Sequence, residues 1–167
     1  MSRILSMVFI LAMFSGGCSL VPEINGVWRT QEGVTVAWPE LGFEGRLELV
    51  MGQYGHDVAG MLRLFQDGKE FKDNYLFESC PCLFLDAASF DDSALVFDVT
   101  LCGDDADEWS GRFEWSEGDN DEFLSGALEP RNSGGDGVAT ADFILVFFGG
   151  KKLIKEDELN QECPGMN

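Results

Sequence analysis

Few side chains in this chain have the types and spacing for chemistry. The only histidine, His56, sits in Gly52-Gln53-Tyr54-Gly55-His56-Asp57. A His–Asp pair could act as a general base. Yet neighbours on an extended chain point to opposite faces, and no Gly-x-Ser-x-Gly accompanies them. The stretch reads as a hairpin turn, and His56 as a surface turn residue. Acidic residues number 30, too many for any two to stand out as a glycosidase pair. They gather at Asp91-Asp92, at Asp104-Asp105-Asp107-Glu108 and at Glu117-Asp119-Asp121-Glu122. Calcium would need roughly six to eight oxygens, and none of these runs has the EF-hand pattern. They read as solvated turns that keep the protein soluble. Ser133-Gly134-Gly135-Asp136-Gly137 neither follows a strand nor opens a helix, so it reads as a flexible turn and not a phosphate cradle. No catalytic residue, cofactor or metal site is nominated, and the chain reads as a non-enzyme.

Cysteine is the other reactive type. Cys80, Cys82, Cys102 and Cys163 form an even set, apart from Cys18 near the N-terminus. In an oxidising compartment four cysteines predict two disulfides. Bridging Cys80 to Cys82 would strain the disulfide geometry. One of those two is therefore expected to bond Cys102 and the other Cys163, which would pin the tail. A Cys-x-Cys metal site is the rival reading, but it lacks a second cysteine pair at suitable spacing.

The compartment follows from residues 1–18. Arg3 precedes an eleven-residue apolar run, Ile4–Phe14, broken only by Ser6, and Ser15-Gly16-Gly17-Cys18 closes the segment. A spanning helix needs about 20 apolar residues, so this is a secretory signal and not an ordinary anchor. Ser15-Gly16-Gly17-Cys18 resembles the lipobox of bacterial lipoproteins. That resemblance implies cleavage before Cys18, diacylglycerol on its sulfur and an acylated amine, which together anchor the chain firmly. In that family Ser19, where Asp would retain the protein at the inner membrane, implies the outer membrane. Residues 1–17 are thus expected to be lost, residues 18–23 to form a short lipid-proximal linker, and residues 24–150 to fold.

The mature chain would keep ten basic residues against 30 acidic ones, a net charge of −20; the full chain carries −19. So acidic a surface repels nucleic acid and anionic headgroups alike, leaving the lipid to hold the protein at the membrane.

The rest alternates with period two. Phe43, Gly45, Leu47, Leu49 and Met51 alternate with Glu44, Arg46, Glu48 and Val50. Leu95, Phe97, Val99 and Leu101 do the same, as do Trp109, Gly111, Phe113 and Trp115. Weaker strands are expected at 24–30, 33–38, 56–65, 74–79, 82–86, 122–129 and 141–149. No capped helical stripe precedes residue 151, so the sheet should be antiparallel. A hairpin at Gly45–Leu62 repeats at Gly111–Leu128 with a constant offset, and Gly60 and Gly126 inside the second strands mark bends or bulges. The fold class is all-β: an antiparallel up-and-down β-barrel of about eight to ten strands, with a β-sandwich as the alternative. The tail 151–167 is expected to be a short helix or a pinned extension.

Gly26-Val27-Trp28 resembles the Gly-x-Trp of the lipocalin and avidin type of barrel. That resemblance places Trp28 near one barrel end, with a basic residue after the last strand packed against it; Lys151 and Lys152 stand there. It also implies that the interior could hold a small apolar ligand, with Trp109, Phe113, Trp115, Leu47 and Leu49 as candidate lining. Two functions follow. In one, a lipid-anchored envelope barrel binds a small hydrophobic ligand. In the other, an envelope interaction protein has a filled core and meets a basic protein partner through its acidic loops.

Overall fold

The computed structural model describes residues 22–71, 83–101, 104–131 and 138–150. Its strands are β1 (Gly26–Thr30), β2 (Val36–Trp38), β3 (Phe43–Tyr54), β4 (Asp57–Gln66) and β5 (Lys69–Glu70), followed by β6 (Leu83–Asp91), β7 (Ala94–Leu101), β8 (Asp104–Glu117), β9 (Glu122–Pro130) and β10 (Phe143–Gly149). A single 3-10 turn, Pro39–Leu41, separates β2 from β3. Eight strands close a ring in the order β1, β3, β4, β6, β7, β8, β9, β10 and back to β1, every pairing antiparallel. An up-and-down meander closes antiparallel on its first strand only when the count is even, as here. The short β2 and β5 attach to β3 and β4. Ring closure excludes the sandwich.

The expected alternation decides which face turns inward. Phe43, Leu47, Leu49 and Met51 of β3, Leu95, Phe97 and Val99 of β7, and Trp109 and Phe113 of β8 are all buried in one cluster. Burying each such side chain is worth about 1.5–3 kcal/mol. Two tight turns, Asp67-Gly68 and Asp92-Ser93, have positive φ at both central residues. That geometry matches the right-handed twist of the strands they join.

The glycines inside strands answer to sterics. A Cβ on Gly126 would stand 2.0 Å from the Arg112 carbonyl oxygen, and one on Gly111 2.4 Å from the Phe97 ring. Gly60 borders a register irregularity between β4 and β6, as expected of a bend. Gly126 instead pairs regularly with Phe113. The two repeated hairpins also close differently. Met51 faces Gly60 across a two-residue turn, whereas Phe113 faces Gly126 across a four-residue one. The repeat thus fixes which residues point inward and leaves the pairing offset to the turn.

The chain enters at Ile24 and leaves at Gly150 on the same end of the barrel, called here the entry end. That end also carries the turns at 55–56, 92–93 and 118–121. The far end carries β2, the 3-10 turn and the β4–β5 hairpin. The strand expected at 74–79, all four cysteines of the disulfide set, the anchoring Cys18, Lys151 and Lys152, and the tail 151–167 lie outside the described residues.

Candidate functional site

Both barrel ends are stoppered by tryptophan. At the entry end Trp28 is fully buried, and its indole N–H donates to the Ile24 carbonyl at 2.9 Å. Phe147 meets its ring edge-on at 5.3 Å. Ile24 donates its backbone N–H to Gln53 Oε1 at 2.9 Å, and Gln53 in turn donates its N–H to Asn25 Oδ1. The segment before β1 is thereby tied across the barrel mouth. Gly26 is required there: its φ is +126°, and a Cβ would lie 2.9 Å from the carbonyls of both Gly149 and Gly150. Near the far end the fully buried Trp38 packs edge-on against Trp109 at 4.6 Å. Between the stoppers Phe97 stacks parallel to Phe113 at 5.8 Å, and Phe143 meets Phe113 edge-on at 5.2 Å.

The residues expected to line a ligand site are brought together inside the ring. Leu47, Leu49, Trp109 and Phe113 belong to one contiguous cluster, against which the half-buried Trp115 rests. Their side chains are packed among those of the other buried residues of that cluster. The Nε1 atoms of Trp38 and Trp115 are buried with no hydrogen-bond partner among the described residues.

His56 stands exposed in the turn between β3 and β4. Its ring Nδ1 lies 3.4 Å from Asp91 Oδ1, across on β6, and not beside Asp57. The Phe90 N–H donates to the His56 carbonyl at 2.8 Å. These contacts stitch two turns of the entry end. Around them Asp57, Asp91, Asp92, Glu117, Asp119 and Asp121 are exposed, and no Lys or Arg falls within these turns. No trio of His, Cys, Asp or Glu among the described residues is placed to hold a metal.

The outer wall holds what sequence reading missed. Glu48 points outward from β3, as the alternation requires, yet it is only 4% exposed. Register sets Arg29 of β1 on one side and Arg63 of β4 on the other. Arg29 Nε donates to Glu48 Oε2 at 2.5 Å and an Arg63 terminal amine to Oε1 at 3.3 Å. Arg63 Nε continues to Glu70 at 3.4 Å. The Arg29 guanidinium lies 3.6 Å above the Phe148 ring, whose other side is exposed. Beside this chain of charges Arg29, Arg46, Leu47, Glu48, Phe65 and Gly68 line an open pocket of about 140 Å³. A sequence signal existed: a two-residue turn at Gly55-His56 pairs residue 54 with 57, and so puts Arg63 opposite Glu48.

One row nearer the entry end, Val27, Val50, Met61 and Phe84 stand side by side across four strands of the outer wall. Met61 there is buried, flanked by Val50, Ala59 and Phe84.

Compared with protein families, curated proteins and solved structures, the chain finds no match in any of the three.

Proposed function

We propose that this chain is a lipid-anchored protein of the bacterial cell envelope, most simply of the outer membrane, whose barrel is a filled scaffold that works through its outside. The observation that carries this reading is the packed interior. Six of the largest side chains, Trp28, Trp38, Phe43, Phe90, Phe97 and Phe113, are below 2% exposure within the ring or its stoppers. A ligand-carrying barrel keeps that volume open. The lipobox-like Ser15-Gly16-Gly17-Cys18 supports the anchor, and Ser19 supports the outer membrane. Since Ile24 enters at the end bearing the acidic turns, an anchor at Cys18 holds that end within about 20 Å of the lipid, the reach of six extended residues. The exposed carboxylates there fit a basic protein partner at the membrane surface. No catalytic role is assigned.

The test has two arms. Radioactive palmitate should label the wild-type chain in a Gram-negative host and fail to label Cys18→Ala. An apolar fluorescent probe such as N-phenylnaphthylamine should give no saturable signal with the soluble domain. Palmitate on Cys18→Ala would overturn the anchor, and a saturating signal would restore the apolar-ligand reading.

A further inference from the structure

The pocket on the outer wall has the makings of a small anion site, and it owes nothing to the filled interior. We infer that it binds the carboxylate of a small monoanion with a short apolar body.

Arg29 is held in place before any ligand arrives. Glu48 fixes its Nε, and Phe148 supports one face of its guanidinium at 3.6 Å. Its two terminal amines make no hydrogen bond among the described residues. Glu48 cannot repel an incoming anion as a free carboxylate would. Each of its oxygens already accepts from a guanidinium, one from Arg29 and one from Arg63. Arg46 is exposed and without an ion-pair partner among the described residues, and it projects from the same face of β3 two residues before Glu48. On this wall Glu48 pairs with Arg29 and Arg63, Arg63 pairs also with Glu70, and Arg46 stands beside them, so three guanidiniums meet these two carboxylates in a chain whose net charge is −19. A local surplus of positive charge amid so negative a surface concentrates small anions there.

The chemistry of the occupant follows from the pocket's shape and charge. A guanidinium fork presents paired N–H donors to a planar carboxylate. Phe65 supplies an apolar wall, and Gly68 leaves the rim open, since a Cβ there would meet nothing within 4 Å. A volume of about 140 Å³ suits a body near the size of benzene. The Phe65 ring gives an apolar body a surface to cover, which inorganic phosphate does not have, so a carboxylate with a short apolar body is favoured.

Sodium benzoate is the probe. In ¹⁵N–¹H spectra of the soluble domain at constant ionic strength, it should shift the Arg29 Nε–H and the backbone amides of Leu47 and Gly68. These shifts should saturate with a Kd of about 1–10 mM, the range of a small, open site. Arg46→Gln, an exposed change that leaves the fold intact, should weaken binding about tenfold through the loss of one charge-assisted contact. Arg112→Gln, on β8 away from the pocket, should leave the titration unchanged. Absence of saturable shifts at those three groups overturns the site, as does an unaltered Kd in Arg46→Gln. Inorganic phosphate binding as tightly as benzoate overturns the carboxylate assignment. The filled-barrel reading survives any of these results, because the titration does not probe the interior.

Discussion

Truncating Phe113 to alanine removes the ring at the centre of the barrel. Phe113 is 1% exposed, stacks on Phe97 at 5.8 Å with the planes 4° apart, and receives the edge of Phe143 at 5.2 Å. The walls around it are strands closed into a ring, which cannot slide together to fill the gap. The loss should therefore fall in the upper part of the range for buried Phe→Ala changes, about 4 kcal/mol. Set against a total of about 5–15 kcal/mol for a domain, that is a large share. It should lower Tm by roughly 10–20 °C. Urea unfolding followed by tryptophan fluorescence reads the stability change. The same variant should gain a dry cavity that binds benzene, while the wild type binds none. A destabilisation below about 1 kcal/mol, or equal benzene binding by both proteins, would refute the reasoning, for either would mean that the interior was open from the start.

Three other outcomes follow from particular contacts. Gly126→Ala forces a Cβ to within 2.0 Å of the Arg112 carbonyl, a rigid neighbour, and should cost at least about 2 kcal/mol in urea unfolding. Glu48→Gln leaves two guanidiniums facing a neutral amide, and should cost about 1–2 kcal/mol, discounted because both arginines are a third or more exposed. Glu114→Gln, whose pair with Arg112 is exposed, should stay within about 0.5 kcal/mol. Disulfide mapping of the unreduced protein by mass spectrometry is expected to return two bonds, one joining Cys102 to Cys80 or Cys82 and the other joining the remaining one of that pair to Cys163, and four free thiols would contradict it.

How much of this was legible depends on what a residue's own sequence neighbours can reveal. Strands β3, β7 and β8 were readable because period-two alternation is a local property, and burial on one face enforces it. Strand β6 was expected to stop near residue 86, yet it runs to Asp91. A register shift between Asp86 and Ser89, with Ala87 at φ +46°, switches the phase of alternation. Leu83 and Leu85 therefore face inward before it, and Ala88 and Phe90 after it. A bulge erases the pattern from which a strand is read. Strand β5, Lys69-Glu70, is two polar residues held by backbone pairing alone, and no side-chain pattern announces it. The outer-wall pocket needed one step more than alternation. Arg46 and Glu48 were readable as outward-facing, but the burial of Glu48 and the gathering of three arginines come from register between strands 15 to 19 residues apart in sequence. The filled interior lay furthest out of reach. The same aromatic residues could line a cavity or occlude it, and the proposal that they occlude it rests on Trp28, Trp38 and the stacked rings between them.

Native mass spectrometry of the intact protein, extracted in mild detergent from its own host, tests the central claim most directly. A chain beginning at Cys18 that carries covalent acyl groups and holds no apolar molecule in its barrel is the predicted result. An unprocessed Met1 terminus without acylation, or a stoichiometric apolar ligand released on unfolding, would contradict it.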